Sequence, residues 1–279
     1  MPLDRLTTTN GLISVPWDGK PFKQLVITPK SFGFVIEIQY EIKQERKKRN
    51  REKVATIDIG LNNLAAITLG QKRPILINGR IVKSINQWYN KNPCKTRLRK
   101  RYWRLENYFH HASKLIVQLC LENDIGRIII GRNQGWKKNI NLGKQNNQHF
   151  CFVPIESLLL KIQYKAEMEG IEVVFTEEAY TSKASFYDAD PLPIYGEGSN
   201  VEFSGRRKNR GLYISKNGFA VNADVNGSMN IGRKVIPEFL GIRDRSLAAR
   251  PVIVNPLRKP VGEELAVNIQ TQESVISRF

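Results

Sequence analysis

An aspartate stands inside an otherwise apolar run, Val54-Ala55-Thr56-Ile57-Asp58-Ile59, and Gly60-Leu61-Asn62-Asn63 leads at once into a second run, Leu64 to Leu69. Short apolar runs bounded by Gly and Asn predict two paired strands, and Pro74 to Ile77 extends them into a three-stranded meander. Gly60 lets the chain turn immediately and leaves the Asp58 carboxylate at the sheet surface. An ionised carboxylate beside a core is costly unless something compensates it, and a divalent cation would do so. The alternative is a local role, with Asp58 capping the Asn62-Asn63 turn.

Around this hairpin, strands and helices alternate. Phe22 to Thr28 and Phe32 to Ile42 are rich in β-branched and aromatic residues and predict a small strand pair. Lys43 to Lys53 carries seven Lys or Arg and marks a linker or solvated edge. Over residues 95 to 122, Leu98, Tyr102, Leu105, Phe109, Ala112, Ile116 and Leu119 recur at helical steps. Arg127–Ile130 predicts a fourth strand, Ile155 to Glu169 a second helix and Ile171–Phe175 a fifth strand. Asp224 to Val235 returns to helical spacing before Pro237. Residues 181 to 220 lose periodicity and read as an insertion, and the chain after Gly241 reads as an irregular tail. This alternation predicts an α/β layer fold.

Hydrophobic residues make up 41% of the 279, enough for a real core rather than a disordered chain. Forty-four Lys and Arg against 26 Asp and Glu give a formal charge of +18, which points to a polyanionic partner, nucleic acid first. Lys95, Arg97, Arg99, Lys100, Arg101 and Arg104 crowd around Tyr102 and Trp103, a mixture suited to phosphates and stacked bases, although a solvated helix face has the same look. Arg206, Arg207, Lys208 and Arg210 form a second basic run. Cys94, Cys120 and Cys151 are widely spaced and odd in number, so neither a disulfide framework nor a four-cysteine zinc site is expected. No apolar run predicts a signal peptide or membrane span, and the expected location is intracellular.

Two further acidic loci matter. Glu177-Glu178 follows the fifth strand, at the carboxyl edge where ligands gather in α/β sheets. Asp224 opens the last helix, where an N-cap is the ordinary reading. Taken together, Asp58, one glutamate of the Glu177-Glu178 pair and Asp224 would suit two Mg²⁺ ions about 4 Å apart, the arrangement that serves phosphodiester hydrolysis, and Mn²⁺ would substitute.

The stretch from Val54 to Val235 resembles the TnpB (OrfB) proteins of bacterial insertion sequences, relatives of the type V CRISPR nucleases. The likeness rests on Ile57-Asp58-Ile59-Gly60-Leu61-Asn62-Asn63-Leu64-Ala65, Ile130-Gly131-Arg132-Asn133-Gln134-Gly135-Trp136-Lys137, Tyr164-Lys165-Ala166-Glu167, Tyr180-Thr181-Ser182-Lys183 and Asn222-Ala223-Asp224-Val225-Asn226-Gly227-Ser228, in family order. It implies an RNase H-like (RuvC) fold with a mixed five-stranded sheet flanked by helices over residues 54–240. Residues 1–53 would be a remnant of a wedge-type β-barrel with its basic linker. The implied activity is RNA-guided DNA cleavage, with a guide RNA from the transposon end and target DNA as partners. Trp136 and Lys137 then join the nucleic-acid contacts.

Three departures qualify the likeness. Gly131 stands where family members commonly carry the middle glutamate, which moves that role to Glu178, as in some relatives including the Fanzor proteins. The cysteine pairs of the family's zinc ribbon are missing, so residues 181–220 replace that ribbon without structural zinc. The N-terminal part is short. The alternative function is accordingly a catalytically impaired RNA- or DNA-binding protein, or an inert truncated transposase remnant. A third reading, an Asp-x-Gly hairpin gripping ATP phosphates, would need a second hairpin that the chain does not offer. Oligomeric state is not legible.

Overall fold

The computed structural model describes residues 4–7, 14–17, 21–39, 41, 49–132, 153–194, 196, 201–209 and 211–258. Trp136, Lys137 and Arg210 lie outside them. Two antiparallel pairs come first, β1 (Asp4–Thr7) with β2 (Ser14–Trp17) and β3 (Gln24–Lys30) with β4 (Gly33–Gln39). The meander then appears as expected, as β5 (Val54–Ile59), β6 (Asn63–Leu69) and β7 (Ile75–Asn78). Two helices follow, α1 (Arg80–Lys91) and α2 (Lys95–Glu122), then β8 (Arg127–Gly131), α3 (Ile155–Met168) and β9 (Glu172–Thr176). β8 and β9 add in parallel beside β5.

Strand alternation gives the sheet its two working faces. Ala55, Ile57 and Ile59 join Leu105, Phe109, Ile116, Leu158 and Ile162 in the main core. That face carries α2 and α3. Val54, Thr56 and Asp58 point the other way, and this second face is closed by α4 (Ala223–Val235). The α4 sequence is built for close approach: the Ser228 hydroxyl donates to the Thr56 carbonyl at 2.9 Å, and a Cβ on Gly232 would meet Thr56 Cγ2 at 2.8 Å. Bulky residues there would hold the helix off the strand.

Three regions depart from the sequence expectation. Helix α1 was not anticipated; Val82 and Ile85 are buried against the main core. Within the supposed insertion, β10 (Arg206–Asn209), β11 (Leu212–Ile214) and β12 (Ala220–Asn222) form a small antiparallel sheet that runs directly into α4. The expected irregular tail is ordered as far as residue 258: α5 (Arg245–Ala249) is followed by β13 (Val252–Val254), which pairs in parallel with β7. The main sheet is therefore six-stranded and mixed, in the order β13-β7-β6-β5-β8-β9. The five expected strands keep their places, with β13 added at one edge.

Ala248 on α5 is fully buried in a cluster with Ala66, Leu76 and Met229. A charged side chain there has no compensating partner, so Ala248→Asp should cost about 2 kcal/mol or more in chemical denaturation. Unchanged stability would mean that this part of the chain is not packed on the sheet.

Candidate active site

Parallel register brings the acidic positions to one edge. Ile57 pairs with Ile130 and Gly131 with Thr176, so Asp58, Gly131 and the residues just past Thr176 sit at the carboxyl ends of three neighbouring strands. Glu178 leaves β9 in a tight turn, whose carbonyl accepts bonds from the Thr181 amide at 3.2 Å and the Thr181 hydroxyl at 2.8 Å. Tyr180 adopts φ of 64°, a costly conformation for an aromatic residue, and its carbonyl is held by the Lys183 and Ala184 amides. A Cβ on Gly131 would meet Ile231 Cδ1 at 2.6 Å and Glu178 Oε2 at 3.0 Å, so the glycine lets both side chains pack directly on the end of β8.

Helix α4 brings the third acid. Its N-cap is Asn222, whose side chain accepts from the amides of Asp224 and Val225 at 3.0 and 3.2 Å. Asp224 is thus relieved of the capping role that its position suggested. Its two oxygens accept instead from Asn63 Nδ2 at 2.7 Å and from the Arg207 guanidinium at 3.0 Å. One turn on, Gly227 passes over Asp58: a Cβ there would meet Asp58 Oδ2 at 2.7 Å. The turn after β5 does not need Asp58 as a cap, because Asn62 accepts from Lys83 and from the Gly79 amide, and Asn63 is spent on Asp224.

Burial holds the Asp58 carboxyl well above the usual carboxylate range. Glu178 and Asp224 push it in the same direction, and Arg207 pulls it back. Glu178 and Asp224 are therefore each within electrostatic reach of Asp58, as is the Arg207 guanidinium. Glu177 is not among them, since it is turned to Lys234 Nζ at 2.5 Å. Among the described residues no three His, Cys, Asp or Glu side chains are grouped tightly enough to enclose a metal ion as they stand. The donor chemistry nevertheless fits a hard divalent cation, being oxygen only, and the glycine at 227 leaves the Asp58 carboxylate uncovered by a side chain from α4 at that position.

Sequence reasoning missed the supporting residues. Asn226 and Asn230 are fully buried, and their amides bond to the carbonyls of Ala184 and Thr181, tying the Glu178 turn to the helix that carries Asp224. Two asparagines one turn apart inside an apolar helix were a visible signal, because asparagine is unfavourable there without a bonding role. Asn63 and Arg207 carried no such mark.

The basic helix face is divided. Arg97 and Arg104 lie over the Trp88 ring at 5.4 and 4.6 Å, and Arg101 donates to Asn86 while lying over Tyr89. These three brace α1 against α2. Lys95, Arg99 and Lys100 are exposed, as is Trp103, while Tyr102 packs on Phe32 of the β3–β4 turn. Arg206, Arg207 and Lys208 are exposed on β10. Of the described helices, none is long and apolar enough to cross a membrane.

Two family models match the chain: "Probable transposase" over residues 37–97, which contain Asp58, and "Cas12f1-like, TNB domain" over residues 156–231, which contain Glu178, Arg207 and Asp224. Over these segments the chain is similar to TnpB-like proteins. It is 21% identical over 254 residues to the TnpB-like protein ORF457 of Acidianus two-tailed virus, covering 80% of this chain and 49% of that one. Among solved structures, the Cas12f1-sgRNA-target DNA complex matches with a TM-score of 0.50 at 16% identity, over 75% of this chain and 56% of the other, which bears on the fold alone. The chain thus spans about half the length of the relatives it matches.

Because the folded pKa of Asp58 is raised, its contribution to stability is complete below the unfolded value and is lost as pH rises through the folded one. Asp58→Asn should therefore be more stable than the parent chain at neutral pH in chelator, with the difference disappearing in acid below about pH 4. Thermal unfolding across pH measures this; equal stability at all pH values would mean that the carboxylate is well solvated.

Proposed function

We propose that this chain is an RNA-guided DNA endonuclease whose Asp58, Glu178 and Asp224 hold divalent magnesium for phosphodiester hydrolysis. The observation that carries the reading is that Glu178, from the turn after β9, and Asp224, from α4, both lie within electrostatic reach of Asp58 on β5. Magnesium bound there would activate water and stabilise the leaving oxygen. The chain's own residues supply placement: Asn63 orients Asp224, Thr181 fixes the Glu178 turn, and Asn226 and Asn230 hold the two together. Guide RNA and target DNA are the partners we infer, in keeping with the charge of +18 and with the exposed Lys95, Arg99, Lys100 and Trp103.

A second reading, nucleic-acid binding without cleavage, is favoured by the Arg207 contact to Asp224, which fills one ligand position with protein. The two separate in a cleavage assay with co-purified RNA and Mg²⁺. Asp58→Ala and Glu178→Ala should each lower cutting by about 100-fold or more, while RNA binding persists. Glu177→Ala should leave cutting within a few-fold of the parent. Loss with Glu177→Ala and retention with Glu178→Ala would reverse the assignment, and uncut DNA with the parent chain would favour the second reading. For the binding surface, joint replacement of Lys95, Arg99 and Lys100 by Ala should weaken binding to all sequences alike and lower the salt slope by roughly 0.7–0.9 for each phosphate contact removed. An unchanged slope would place the backbone elsewhere.

A further inference from the structure

The Asp224 carboxylate is not waiting with open oxygens. Asn63 Nδ2 donates to Oδ2 at 2.7 Å and Arg207 donates to Oδ1 at 3.0 Å. These two partners differ in how firmly they are held. Asn63 begins β6, inside the meander, and pairs with Asn78. Arg207 lies on β10, the outer strand of the small three-stranded sheet, where every residue is exposed. The Arg207 and Asp224 side chains keep 44% and 27% of their surface in solvent, and one guanidinium nitrogen makes the contact. An exposed, single-bonded pair of this kind is weak and easily exchanged.

We propose that Arg207 is a built-in counter-ion that keeps divalent cations off Asp224 until a nucleic-acid phosphate draws the guanidinium away. The inference rests on the reading of Asp58, Glu178 and Asp224 as metal ligands. The guanidinium and a divalent cation seek the same carboxylate oxygen, so each lowers the affinity for the other. A phosphate backbone is the natural competitor for Arg207, because arginine binds phosphate and carboxylate with the same donors and Arg206 and Lys208 flank it on the same exposed strand. Whatever removes Arg207 from Asp224 then strengthens cation binding, and by linkage the cation strengthens nucleic-acid binding by the same factor. The basic strand makes the acidic site conditional on its substrate class. Without a polyanion Asp224 is neutralised by protein.

The test is Mn²⁺ binding to the full chain, followed by electron paramagnetic resonance, with and without a short single-stranded oligonucleotide and after subtraction of ions held by the oligonucleotide itself. Parent chain, Arg207→Gln, Arg207→Lys and Asp58→Asn are compared. Alone, Arg207→Gln should bind Mn²⁺ about fivefold more tightly than the parent, the factor expected for loss of one exposed ion pair. The oligonucleotide should tighten the parent by a similar factor and leave Arg207→Gln unchanged, and Arg207→Lys, which keeps the charge, should stay close to the parent. Equal or weaker binding by Arg207→Gln overturns the proposal. Asp58→Asn separates this failure from the other: if it binds Mn²⁺ as the parent does, the ligand assignment itself is wrong. If it loses the ion while Arg207→Gln matches the parent, only the counter-ion role is lost.

Discussion

The close crossing of α4 over β5 is the contact on which the rest of the molecule depends. Thr56 and Ser228 join through their hydroxyls, Gly227 passes the Asp58 carboxylate, and Gly232 meets Thr56. Small residues on the helix and a polar stripe on the strand make that distance possible. The same crossing sets Asp224 near Asp58 and, through Asn226 and Asn230, fixes the turn that carries Glu178. Packing and site geometry are one arrangement here: a helix held farther from the sheet would lose both the second core and the acidic cluster.

The cost of that arrangement is electrostatic. Asp58 is recessed beside two other acids, and its raised pKa reports the unfavourable charge. The chain answers in part with Arg207 and with the amide of Asn63, both aimed at Asp224. Glu177 has a separate outlet in Lys234. What remains is a site with more negative charge than the protein neutralises, set in a molecule whose overall charge is +18. Such a contrast between a basic body and an acidic centre suits a polyanion that must be held and a cation that must be gathered.

Much of this was legible in sequence because periodicity survives where one face is buried. Helix α2 covers Lys95–Glu122 as its apolar stripe suggested, with the stripe buried from Leu105 to Leu119, and the meander was marked by Asp58 and Gly60. Helix α1 was missed because its buried Val82, Ile85 and Asn86 are interspersed with Lys83 and Ser84, and its aromatics Trp88 and Tyr89 serve to receive arginines from α2. Strand β13 is only Val252-Ile253-Val254 between prolines, and its pairing with β7 depends on residues far away in the chain. The N-cap role fell to Asn222 rather than Asp224, a distinction of hydrogen bonding that spacing alone does not carry. Arg207 looked like one more member of a basic run. Only the return of β10 toward the start of α4 shows it facing an acid.

The central claim is that Asp58, Glu178 and Asp224 form one metal-binding centre. Anomalous diffraction from crystals grown with Mn²⁺ and nucleic acid tests it most directly. The account predicts manganese peaks within ligating distance of all three carboxylates, with Glu177 still on Lys234. Manganese absent from that edge, or bound by Glu177 with Asp58 left out, would contradict it.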